Sequence, residues 1–256
     1  MESVKKYLLW VILLLVTCYG CIGNNLSNSP PLANAGPDQT IIDTDRSGSE
    51  EIKLDGSGSK DENGTIIGWT WSDNLGDAIP DGPNPAAALS VGTHVITLTV
   101  IDNKGAVATD TVKVTVEYPV LHTADSANTG SFTAKNAFDG STNTFWETGS
   151  PFPHWIMTDF GTYPKRVIEY ALQTGSHGKD GTDSTGRMPK DWRFEGSNDG
   201  SDWTVLDTQA DRTDWKVNER RTYTCANPAS FRYYRLYITA GVNTKILRLY
   251  EVEMME

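Results

Sequence analysis

The sequence predicts an all-β protein in two domains. Three observations carry the prediction. Gly 23 and Pro 12 are spread along the 256 residues, as turns between short strands would be. Several runs alternate apolar and polar residues with a period of two, whereas no sustained helical stripe follows residue 25. The length suits two domains of ordinary size, and a hydrophobic content of 38% with 8 Trp, 10 Tyr and 7 Phe is enough to build real cores.

The first 30 residues read as an address and a tether. Lys5 and Lys6 precede an apolar run from Tyr7 to Val16, and the small residue Gly20 precedes Cys21. Ten apolar residues fall short of the roughly 20 that span a bilayer. Residues 1–21 are therefore expected to be an export signal. The Gly-Cys end resembles a lipoprotein signal, which would make Cys21 the lipid-modified residue. Cys18 and Tyr19 depart from that pattern, so plain secretion and an uncleaved anchor stay open. All three place the remainder outside the cytoplasm, and the expected location is the extracellular face of the cell membrane or the cell envelope. Residues 22–30 form a polar, Pro-containing tether.

Residues 31–117 read as strands and turns. A short strand around Ile52 to Leu54 leads to an Asp-Gly-Ser-Gly turn. The acidic turn Asp61-Glu62-Asn63-Gly64 precedes a strand from Ile66 to Trp71. Trp69 and Trp71, two apart, point to one face. Val95 to Ile101 is apolar or Thr at every position, which reads as a strand covered on both faces. Asn103-Lys104-Gly105 turns it back into Val107 to Val116, with Val112, Val114 and Val116 on one face. The segments "ANAGPDQT", "LDGSGSKDENGTIIGWTWS" and "VGTHVITLTVIDNKGAVATDTVKVTV" resemble a PKD domain. The resemblance implies an immunoglobulin-like β-sandwich acting as spacer or adhesion module. The acidic turn is either a calcium site, as in some PKD domains, or a solvated turn.

Residues 118–256 continue the pattern. Trp155, Met157 and Asp159 alternate with Ile156, Thr158 and Phe160. "KRVIEYALQTG" follows, and "KDWRFEGSNDGSDWTVLDT" reads as a hairpin around "SNDGSDW". "SFRYYRLYITAG" and "KILRLYEVEM" close the domain, each with strand alternation. Cys225 is expected to be a buried strand residue acting as a small hydrophobe. Three cysteines, two of them in the leader, make no disulfide framework or zinc spacing.

The stretch "NAFDGSTNTFW", residues 136–146, places oxygen-bearing turn residues between aromatic anchors. By itself it is either a loop closed by hydrogen bonds, with Asp139 capping a turn, or a loop shaped around a cation. Together with "HWIMTDFG", "RMPKDWRFEGSNDGSDWTVL", "FRYYRLYIT" and "LYEVEM", it resembles the discoidin, or coagulation-factor type C, family, which includes the family 32 carbohydrate-binding modules. That resemblance implies a jelly-roll sandwich over 118–256 with ligand loops at one end. It also implies a structural calcium, with oxygens from Asn136, Asp139, Ser141 and Thr144 and a distant carboxylate from Glu251. The chemistry is consistent, because calcium takes six to eight oxygens from carboxylates, carbonyls and hydroxyls.

The ligand face is expected in the loops "ETGSPFPHW" and "TGSHGKDGTDSTGRMP", with Phe152, His154, His177 and Arg187 as candidates; Asn243 and Lys245 lie in the last loop. No nucleophile elbow, HExxH, Walker loop or dinucleotide glycine motif occurs, so no enzyme is expected. The net charge is −11, made of −9 over residues 24–117 and −3 over residues 118–256 against +1 in the leader. Without a basic patch, nucleic acid is not an expected partner. The leading expectation is a surface glycan-binding protein, with membrane attachment through the N-terminus. A protein-binding adhesin or envelope component is the alternative. A phospholipid binder is disfavoured, since "SPFPH" offers one Phe without a basic cluster.

Overall fold

The computed structural model describes residues 27–128, 130–149, 151–176 and 185–256. Cys21, the lipidation candidate, and His177 lie outside the described residues. The chain divides into two compact units. One runs to Ile41 and continues over Ser49–Thr115; the other holds Ile42–Gly48 and Val116–Glu256. Among the described residues no helix is long and apolar enough to cross a membrane.

The first unit is built from β1 (Gln39–Ile42), β2 (Ser49–Lys53), β3 (Ile66–Asp73), β4 (Ala86–Ser90), β5 (Gly92–Asp102) and β6 (Val107–Glu117), with the last residue of β1 and the last two of β6 counted in the second. They form a sheet of order β1-β6-β5-β3 and a pair β2-β4. Ile52, Leu54, Leu89, Ile96, Leu98, Val100, Val112 and Val114 are buried between them. Trp69 and Trp71 share a face, as their spacing predicts. A Cβ placed on Gly56 would meet Trp71 Cζ2 at 2.9 Å and Trp69 Cδ1 at 3.1 Å, so both rings need glycine there. The strand Val95–Ile101 is covered on one face only. Ile96, Leu98 and Val100 point inward, whereas Val95 is 45% exposed and Ile101 37%. Continuous β-branched composition thus misled; Thr97 and Thr99 mark the open side. The acidic turn is braced by hydrogen bonds: Asn63 N donates to Asp61 Oδ1 (3.0 Å) and Lys104 Nζ to the Asn63 carbonyl (2.8 Å).

The second unit contains β7 (Leu121–Ala124), β8 (Trp146–Gly149), β9 (His154–Asp159), β10 (Lys165–Arg166), β11 (Glu169–Gln173), β12 (Pro189–Ser197), β13 (Thr204–Gln209), β14 (Arg220–Thr224), β15 (Ser230–Phe231), β16 (Tyr233–Gly241), β17 (Ile246–Leu249) and β18 (Glu251–Met255). A sheet of order β13-β12-β16-β9-β7 and another of order β14-β11-β18 are accompanied by the separate pairs β17-β8 and β10-β15. Trp146, Ile156, Tyr170, Leu172, Trp192, Phe194, Leu236 and Leu247 fill a common core. Cys225 joins this core, and burial pushes its thiol up to about 11.

"KILRLYEVEM" folds as two strands. β17 pairs with β8, and β18 pairs with β11. The buried Tyr250 marks the break, its ring packed where Gly175 leaves space. This break positions the site. β8 and β17 are antiparallel with Leu249 opposite Trp146. Residues just after Leu249 therefore run alongside the residues just before Trp146, which brings Glu251 to the loop 138–145.

Candidate functional site

Two carboxylates meet at this corner. Glu251 Oε1 accepts the N–H groups of Gly140 (2.5 Å) and Ser141 (3.2 Å). Ser141 N also donates to Asp139 Oδ1 at 2.9 Å, so one N–H lies between the two acids. Thr144 Oγ1 sits 2.9 and 2.7 Å from the Asp139 oxygens and 3.2 Å from the Ser141 carbonyl. Gly140, at φ +74°, supplies the left-handed turn that aims these groups inward. Asn136 braces the loop from its base: its amide donates to the carbonyls of Ser131 (2.8 Å) and Phe145 (3.2 Å). Phe138 stacks on His122 at 4.1 Å, and a half-open cavity of about 310 Å³ beneath is lined by His122, Phe138, Thr158, Phe160, Glu251 and Met254.

The electrostatics of the corner are unbalanced. Glu251 is 5% exposed. Burial raises its carboxyl pKa, the N–H groups of Gly140 and Ser141 oppose the rise, and the Asp139 charge adds to it. Among the described residues no basic side chain pairs with either acid. Four oxygen donors, from Asp139, Ser141, Thr144 and Glu251, converge with two negative charges. That donor set fits a hard divalent cation such as calcium.

A second cluster lies at the end of the sandwich where the loops containing Asn128, Phe152, Arg187 and Asn243 gather. Glu147 on β8 faces Arg248 on β17 directly across the ladder. Arg248 Nε and Nη2 reach Glu147 Oε2 at 2.7 and 2.5 Å, with both side chains buried. Burial opposes the Arg248 charge, but its bonds to the Tyr250 hydroxyl and to Glu147 keep its pKa raised. The Arg248 guanidinium also lies 3.9 Å from the Phe145 ring centroid. Arg187 Nη1 donates to Glu147 Oε2 (3.2 Å) and Asn128 Nδ2 to Glu147 Oε1 (3.1 Å). Phe152 is half-buried, with Cζ 2.9 Å from where a Cβ on Gly241 would sit. The next residue, Val242, donates its N–H to the Met188 carbonyl beside Arg187 (2.9 Å).

Residues 122–252, just over half of the chain, match the F5/8 type C domain family. The chain belongs to the F5/8 type C domain family. Residues 35–116 match the K319L-like PKD domain, so a PKD-like domain precedes the F5/8 type C domain. Two curated relatives are an Arabidopsis thaliana peptide-N(4)-(N-acetyl-beta-glucosaminyl)asparagine amidase, 30% identical over 142 residues, and the Homo sapiens dyslexia-associated protein KIAA0319, 35% identical over 97 residues. The first alignment covers 53% of this chain and 19% of the relative; the second covers 36% and 9%. The chain thus spans less than a fifth of either relative's length. Similar solved structures include the Clostridium perfringens module CpGH89CBM32-5 in complex with GalNAc-beta-1,3-galactose, at 19% identity, TM-score 0.44, and coverage of 54% of this chain and 95% of that one. The family 32 module of C. perfringens NanJ in complex with galactose gives 19% identity and TM-score 0.44, covering 54% and 93%.

Within the F5/8 type C domain, Phe152, His154 and Arg187 gather at one end, but His154 does not face outward. It is 6% exposed, its Nδ1 lies 2.8 Å from Asp125 Oδ2, and its Nε2 is bonded to the Gly149 carbonyl. Both ring nitrogens are thereby committed, so His154 fastens the neighbouring loops instead of meeting a ligand. Asn243 is likewise a loop brace, accepting the N–H of Lys245 at 2.7 Å. Sequence reasoning missed Glu147, Arg248 and Asn128. Their one visible signal is a lone Arg between leucines in "ILRLY" and a lone Glu after Trp146, both in strands and both in need of a buried partner.

Proposed function

We propose that the second unit is a carbohydrate-binding module displayed outside the cytoplasm, with the PKD-like unit as its spacer. The observation that carries the glycan reading is the buried Glu147 carboxylate holding Arg187 and Asn128 beside the half-buried Phe152 ring. Saccharide sites combine an aromatic surface for the apolar sugar face with a few polar groups held in fixed orientation. A guanidinium and a carboxamide anchored to one buried acid lose little freedom when a sugar hydroxyl arrives.

Calcium is proposed as the structural cofactor, held by Asp139, Ser141, Thr144 and Glu251 with the Asn136 carbonyl. It would supply positive charge to an acidic pair and tie the last strand to the first loop. The export signal and Cys21 are proposed to deliver and anchor the chain at the outer membrane face.

A glycan array on the chain, read with calcium and with chelator, tests the reading. Specific binding that Phe152→Ala and Arg187→Gln abolish, with the melting temperature retained, supports it. Binding that survives both substitutions, or no bound glycan at all, contradicts it.

A further inference from the structure

The outward face of the five-stranded sheet carries a strip that neither the rim nor the cation corner explains. On β16, Tyr233, Arg235 and Tyr237 alternate with the core residues Tyr234, Leu236 and Ile238. They therefore point away from the core, about 6.7 Å apart in steps of two. In the neighbouring strands, Tyr237 stands opposite Arg193 and Trp155, and Arg235 opposite Glu195 and Met157. The strip is stacked in sequence. The Arg235 guanidinium lies 3.9 Å from the Trp203 ring centroid and 4.9 Å from that of Tyr237. The Arg193 guanidinium lies 4.8 Å from the same Tyr237 ring centroid. Trp155 and Met157 extend it, both half-buried on the same face.

Its charges do not cancel. Glu195 Oε2 takes Arg235 Nε at 2.7 Å, and Arg193 Nε lies 2.7 Å from Glu195 Oε1. Two guanidinium groups share one carboxylate, leaving a single positive charge on a chain of net −11. The open member is Arg193, whose side chain is 44% exposed against 3% for Glu195. An isolated structural ion pair would end neutral. This one holds an extra guanidinium at the surface, flanked by flat rings on a rigid sheet.

We propose that this face is a second binding surface, for an acidic polysaccharide. Tyr237 and Trp203 hold the two guanidinium groups in place by stacking, the Trp155 ring beside them takes a sugar face, and Arg193 pairs with a carboxylate of the polymer. A sheet face is open at both ends and takes an extended chain. The surface is independent of the rim reading.

Affinity electrophoresis of the chain in polygalacturonate, in chelator so that calcium cannot bridge the polymer to Asp139 and Glu251, tests this. The wild type is expected to be retarded by polygalacturonate and not by a neutral galactan. Arg193→Gln and Tyr237→Ala should each weaken the retardation about tenfold, the scale of one lost charged or stacked contact. Arg193→Lys keeps the charge without the planar fork and should weaken it less. Arg220→Gln removes an equivalent exposed charge from β14 on the other sheet and should leave it unchanged. No retardation of the wild type, equal retardation in galactan, equal losses for Arg220→Gln and Arg193→Gln, or wild-type binding by folded Arg193→Gln and Tyr237→Ala would each overturn the proposal.

Discussion

Two glutamates in the second unit are equally buried and oppositely served. Glu147 is 7% exposed and is met by Arg248, Arg187 and Asn128. Glu251 is 5% exposed, among the described residues is met by main-chain N–H groups alone, and faces a second acid, Asp139. A buried carboxylate is costly unless its charge is answered. The first is answered by basic side chains of the chain itself, whereas the second is answered by main-chain N–H groups. A complete cluster fixes shape, and the incomplete one is where we propose the cation.

Breaking the complete cluster should have the largest effect. Arg248→Leu leaves Glu147 buried with the more distant Arg187, and should cost about 3–5 kcal/mol in denaturant unfolding of the second unit. Charge removal at the incomplete cluster should act in the opposite direction. In chelator, Glu251→Gln should melt no lower than wild type, since it removes a buried charge and its repulsion with Asp139. In calcium the order should reverse. Wild type should gain about 2.7 kcal/mol at a hundredfold excess over Kd, and Glu251→Gln should gain almost nothing.

The pH dependence sharpens the same contrast. The raised Glu251 pKa means that the folded state holds its proton more tightly than the unfolded state. The stabilisation from that proton is present below the unfolded value and is lost as pH rises through the folded value. In chelator, unfolding free energy should therefore decline across that window, and calcium should flatten the decline. A flat profile in chelator would contradict the reading.

Smaller effects follow. Thr144→Val removes the hydroxyl beside Asp139 and should cost about 1 kcal/mol, measured by thermal unfolding. Arg220→Gln breaks an exposed pair with Glu253 and should change stability by less than about 0.5 kcal/mol.

The legible and illegible parts of the sequence divide along the same line. Alternation in residues 154–160 and 189–197 is legible as strands, because side-chain period is local. The oxygen-rich loop around Asp139 was visible as composition. Its closure on Glu251 came from family resemblance, since 112 positions separate the two residues and only the Leu249–Trp146 register joins them. The Glu147–Arg248 pair was hidden for the same reason. His154 misled because a polar residue in a loop-flanking position looks available, and its partner Asp125 lies on a different element. The two faces of β5 were misjudged because Val and Thr are both β-branched and composition alone does not distinguish covered from open.

Calcium titration by calorimetry of the wild-type chain beside Asp139→Asn and Glu251→Gln is the most direct test of the cation corner. One calcium-binding event present in wild type and absent in both variants is the expected result. An unchanged isotherm in the two folded variants would contradict it.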